Sequence, residues 1–72
     1  MKQVSSTELI NFLKTKGYYL HHTKGSHFVL INPNTSRIVV PYRKELPIGT
    51  ILAILREAKI SKKEYLLFFI RK

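Results

Sequence analysis

Three short β-forming runs lie between stretches of helical periodicity, and the links joining them are too short for a crossover. The runs are Tyr18 to Thr23, Phe28 to Ile31 and Arg37 to Pro41. They are rich in aromatic and β-branched residues, which fit a pleated surface. The links are Lys24-Gly25-Ser26-His27 and Asn32-Pro33-Asn34-Thr35-Ser36, both strong in turn-forming residues. Parallel neighbours need a connection of about a dozen residues or more. The three runs therefore predict an antiparallel meander. Gly25 suits the first turn because glycine tolerates positive φ. Pro41 closes the third strand because it cannot donate to the ladder. In a regular first strand Tyr18, Leu20 and His22 share one face, and Tyr19, His21 and Thr23 the other. The more apolar set is expected to face the first helix, and His21 and His22 to point apart. Phe28-Val29-Leu30-Ile31 is apolar on both faces, so one face is expected to stay exposed unless a partner covers it.

The flanking segments carry helix signals. Ser5 and Glu8 have capping-box spacing, with Ser6 a competing cap. Leu9, Ile10, Phe12 and Leu13 form an apolar stripe, Lys14 and Lys16 suit the last turn, and Gly17 is a stop. A helix over about residues 6–16 is expected. Pro47 suits the first turn of a second helix, whose apolar face is Ile48, Ile51, Leu52, Ile54 and Leu55 through Ala58. Gly49 could let that helix start approach the sheet or a phosphate closely. Ser61 and Glu64 repeat the box, Ile60 and Tyr65 have staple spacing, and a short helix over about 61–69 follows. Arg71 and Lys72 end the sequence with charge expected to be exposed. The predicted fold over residues 1–72 is one α+β domain. Its order is α-β-β-β-α plus a short C-terminal helix, with helices on one face of a three-stranded antiparallel sheet. Double-stranded-RNA-binding domains share this arrangement.

Charge narrows the partners. Thirteen Lys and Arg stand against 4 Asp and Glu, a net charge of +9 with pI near 10.2. Such a surface attracts polyanions, and nucleic acid is the leading class. At 72 residues one small core is possible, and a ligand is expected on an open surface rather than in a deep cavity. Cysteine is absent, so there is neither a disulfide framework nor a thiolate metal site. That suits the cytoplasm, as does a start (Met1 to Ser6) without the apolar region of a signal peptide. No apolar run approaches the roughly 20 residues needed to span a bilayer, so no membrane partner is expected. Three histidines, two of them adjacent, make a poor zinc set. No metal and no cofactor are expected.

The chemistry-bearing stretch is Lys24-Gly25-Ser26-His27. An imidazole beginning a strand, beside a tight turn and a lysine, is well placed to meet a phosphate. Tyr42-Arg43-Lys44-Glu45-Leu46 is a second basic, aromatic segment. His27 is the candidate catalytic residue, since histidine changes charge near neutral pH. Lys24, Gly25, Ser26 and Arg43 are the candidate RNA- or phosphate-binding residues.

An ordered set of pieces resembles the HicA family of toxin components. They are Leu9-Ile10 with Phe12-Leu13, Gly17-Tyr18, Lys24-Gly25-Ser26-His27, Asn32-Pro33 and Val39-Val40-Pro41. Glu45-Leu46-Pro47 with Gly49-Thr50, Ile54-Leu55-Arg56-Glu57-Ala58, Ile60-Ser61 and Glu64-Tyr65 complete the set. The resemblance implies a double-stranded-RNA-binding-like fold, endonucleolytic cleavage of mRNA, and a HicB-like antitoxin as partner. It places the family's catalytic histidine, in its Gly-Ser-His motif, on His27. Many members carry a second histidine after the third strand, where this chain has Arg43, and the connector here is one residue shorter. Arginine holds a phosphate but does not shuttle protons near neutral pH. Two other readings fit the charge: a non-catalytic RNA-binding module, and a scaffold for an acidic protein. Only the enzyme requires an imidazole at position 27.

Overall fold

A computed structural model describes residues 3–70; Met1, Lys2, Arg71 and Lys72, the last two expected to be exposed, lie outside the described residues. The elements are α1 (Ser6–Lys14), β1 (Tyr19–Lys24), β2 (His27–Ile31), β3 (Arg37–Pro41), α2 (Ile48–Ala58) and α3 (Lys62–Ile70). The strands form one antiparallel sheet in the order β1-β2-β3. This is the expected α+β order with a short C-terminal helix.

Local chemistry accounts for the helix limits. The Ser5 hydroxyl accepts from the Glu8 N–H, and the Glu8 carboxylate accepts from the Ser5 N–H. A cap of this kind contributes about 1 kcal/mol. α1 ends at Lys14, slightly earlier than expected, and Gly17 follows with φ +94°. A Cβ on Gly17 would also lie 3.0 Å from the Asn32 amide, whose nitrogen donates to the Lys16 carbonyl. The second box forms as well, between Ser61 and Glu64. Pro47 is the N-cap of α2 rather than its first helical residue. A Cβ at Gly49 would meet nothing, so no close approach requires glycine there.

All three helices contribute to one core against one sheet face. Leu9, Phe12 and Leu13 of α1, Ile51, Ile54 and Leu55 of α2 and Tyr65 and Phe69 of α3 pack with Leu30, Ile38 and Val40 of the sheet. Phe12 stands edge-on to Tyr65, with ring centroids 5.8 Å apart.

Three expectations about the strands are corrected. Leu20 of β1 lies on the same face as Leu30 and Ile38, but the helices do not cover it: all six residues of β1 are exposed and none joins the core. Only Tyr18, just before the strand, is buried. The helices are too few to roof three strands, so they lie over β2 and β3 and leave β1 as an open edge. β1 is also not regular. Leu20 pairs with Leu30 but His22 pairs with Val29, so His21 is the extra residue of a β-bulge. The outward face of β2 is less bare than expected. Val29 is buried there between its cross-strand partners His22 and Val39, and Ile31 is half-buried. No described helix is long and apolar enough to cross a membrane.

Candidate functional site

The β1–β2 hairpin sets the first half of the site. Lys24 pairs with His27, so Gly25 and Ser26 are the whole loop. Gly25 has φ +58°. Glycine at the first position of a two-residue hairpin loop supplies the positive φ that matches strand twist. A Cβ at Gly25 would meet nothing within 4 Å, so backbone conformation rather than space calls for glycine.

His27 is the first residue of β2 and is exposed. In the ladder it lies between Lys24 on β1 and Pro41 on β3. Residues opposite one another share a face, and successive residues alternate. The outward face therefore carries the row Lys24–His27–Pro41, then His22–Val29–Val39, then Tyr19–Ile31–Arg37. The helix-covered face carries Thr23–Phe28–Val40 and Leu20–Leu30–Ile38.

The connector after β3 supplies the second half. The Tyr42 N–H donates to the Ser26 carbonyl at 2.7 Å, tying the connector to the hairpin loop. Ser6, in the first turn of α1, holds it from beneath. Its hydroxyl donates to the carbonyl of Pro41 (2.6 Å) or Arg43 (3.0 Å) and accepts from the Arg43 N–H. The Ser6 N–H also donates to the Arg43 carbonyl at 3.0 Å. Between hairpin and connector lies an open cavity of about 570 Å³. Ser26 and His27 of the hairpin, Pro41 at the end of β3, and Tyr42, Arg43, Lys44 and Glu45 of the connector line it.

Ser26, His27 and Arg43 thus come together, although Arg43 is far away in the chain. Lys24 does not line the cavity. It stands on the other side of His27, its partner in the ladder. Gly25 shapes the loop and is also outside the lining. Three contributors escaped the sequence reading. Ser6 looked like an alternative cap but is 1% exposed and positions the connector. Tyr42 and Lys44 lie in the segment singled out as basic and aromatic, which was their available signal.

The adjacent histidines do not point apart. The bulge at His21 breaks the alternation, and the His21 and His22 Nδ1 atoms lie 2.7 Å from each other. Their rings are 4.9 Å apart, centroid to centroid. Among the described residues no group of three or more His, Cys, Asp or Glu comes together as a metal-ligand set. Chemically, the cavity offers an imidazole, two cationic side chains, a hydroxyl, an aromatic ring and a carboxylate.

A family model described as HicA toxin of bacterial toxin-antitoxin matches residues 6–60. That span runs from the start of α1 past the end of α2 and includes the whole cavity; α3 lies beyond it. No curated protein matches the chain.

Proposed function

The chain belongs to the HicA toxin family, and is thus a toxin of a toxin–antitoxin system; on that premise we propose that it is an endoribonuclease that cleaves mRNA in the cytoplasm, with His27 as its proton-transfer residue. The observation that carries the reading is the exposed His27 imidazole at the rim of a cavity lined by Arg43 and Lys44. Cleavage by this route begins as the 2′-hydroxyl loses its proton and its oxygen attacks the adjacent phosphorus. The bond from phosphorus to the 5′-oxygen then breaks, and that oxygen takes up a proton. His27 serves as base for the first transfer or acid for the second. Charge that builds on the phosphoryl oxygens is met by Arg43 and Lys44 from the connector and Lys24 from β1. The Ser26 hydroxyl orients a phosphate oxygen. Arg43, in the place of a second histidine, contributes charge rather than a proton.

Cleavage of single-stranded RNA, but not DNA, is expected to persist in EDTA and to leave 2′,3′-cyclic phosphate or 3′-phosphate ends. These residues supply proton transfer and positive charge themselves, and only the 2′-hydroxyl provides the nucleophile. Activity that vanishes in EDTA and returns with magnesium would overturn the route.

The antitoxin partner follows from the family, and we place it over the outward sheet face. Tyr19 and Val39 expose apolar surface there, and Tyr42 exposes more at the cavity. A partner acidic at this contact would be steered to a domain of net charge +9. It would cover His27 without altering the fold. Hydrogen exchange on the free and antitoxin-bound protein is expected to show added protection centred on residues 24–31. Protection confined to the helices, with His27 still open to chemical modification in the complex, would refute occlusion.

A further inference from the structure

We propose that Tyr42 is a stacking platform for an unpaired nucleobase next to the cleaved phosphate; the inference rests on the ribonuclease reading above. Scattered exposed apolar residues are ordinary on a protein surface. Tyr42 is set apart by how it is held and by what surrounds it. It is 61% exposed, yet its backbone is fixed on both sides. Its own N–H is bound to the Ser26 carbonyl, and Ser6 grips Pro41 and Arg43, the residues before and after it. The ring also rests against Phe28, with centroids 6.1 Å apart and planes at 61°. An aromatic ring so placed loses little freedom when a base stacks on it.

The surroundings point to a nucleotide. Tyr42 lines the same cavity as His27, Arg43 and Lys44. A base on the ring therefore lies at the opening that the cations and the imidazole share. About 570 Å³ accommodates a nucleotide. Glu45 is the one carboxylate of the lining. It repels phosphate toward Arg43 and Lys44, and it accepts a hydrogen bond from an amino or hydroxyl group. Bases inside a duplex already stack on their neighbours, so the platform selects unpaired RNA.

The chain contains no tryptophan, so Tyr42→Trp introduces a single indole reporter at the platform. In a His27→Ala background, titration with a short single-stranded oligoribonucleotide is expected to quench that fluorescence saturably, and the corresponding duplex to quench it far less. Measured by anisotropy of a labelled oligonucleotide in the same background, Tyr42→Ala should bind at least about tenfold more weakly, while Tyr42→Phe, which keeps the ring, should stay within about threefold. Binding with unchanged indole emission, or Tyr42→Ala binding as tightly as the parent, would overturn the platform and leave the nuclease reading standing. Quenching of the Tyr42→Trp indole and loss of binding in Tyr42→Ala, together with wild-type protein that never cleaves RNA, would overturn the nuclease reading and leave the platform standing. No binding to RNA by any of the variants would overturn the platform.

Discussion

Replacing His27 with alanine is expected to slow RNA cleavage by about 10²- to 10⁴-fold, the usual loss for a general acid or base. The fold should survive. His27 is exposed at the start of β2, belongs to no buried cluster, and keeps its ladder position through backbone bonds alanine also makes. Circular dichroism and the thermal midpoint should therefore match the parent while single-turnover cleavage collapses. His21→Ala and His22→Ala should each lose much less, since neither side chain lines the cavity with Ser26, His27 and Arg43. His27→Ala protein that cleaves at the parental rate, free of contaminating nuclease, would remove His27 from the mechanism.

Ser6→Ala is expected to destabilise the fold by about 1–3 kcal/mol, the cost of leaving a buried polar group without its partner. The Ser6 hydroxyl accepts from the Arg43 N–H and donates to a connector carbonyl, and the residue is 1% exposed. Alanine supplies neither role, and water has little access to replace it. The denaturation midpoint in urea should fall with little change in slope. A second signature separates Ser6 from its neighbour. Ser5→Ala removes the α1 cap and should cost about 0.5–2 kcal/mol without touching the connector. Ser6→Ala should also speed amide exchange at Arg43 and weaken RNA cleavage, because the same bonds hold Tyr42 and Arg43 against the cavity. Unchanged exchange at Arg43 would show that the hydroxyl does not hold the connector.

The candidate site was partly visible in the chain because half of it is local. Lys24, Gly25, Ser26 and His27 are consecutive, and a turn between β runs brings them to one hairpin end. The other half comes from a connector whose position depends on a helix at the far end of the sequence. Arg43 could be marked as a phosphate ligand, but nothing in Tyr42-Arg43-Lys44 says that it packs against the Ser26 carbonyl. Ser6 was misjudged for a related reason. The Ser5–Glu8 spacing marks Ser5 as the cap, and only the fold shows what the competing serine beside it does instead. Ser5 takes the cap, and Ser6, one residue further round, faces the connector.

By itself the sequence determined the order and type of every element. Each signal acts within a few residues: the Ser5–Glu8 and Ser61–Glu64 boxes, the positive φ at Gly17 and Gly25, the missing N–H at Pro41, and the helical stripes. Short-range sterics and hydrogen bonds enforce these whatever the rest of the chain does. Tertiary structure alone decided how β1 lies, where His21 bulges out, and how the cavity closes. The bulge needs β2 as its ruler, since pairing resumes at His22–Val29 after Leu20–Leu30. Lys59 takes a left-handed cap conformation, φ +58°, as the chain turns to carry Ile60 into the core. The clamp joins Ser6 to Arg43 across 37 positions. Such choices reflect competition for a core too small to cover all three strands, and that competition exists only once distant segments share the same space.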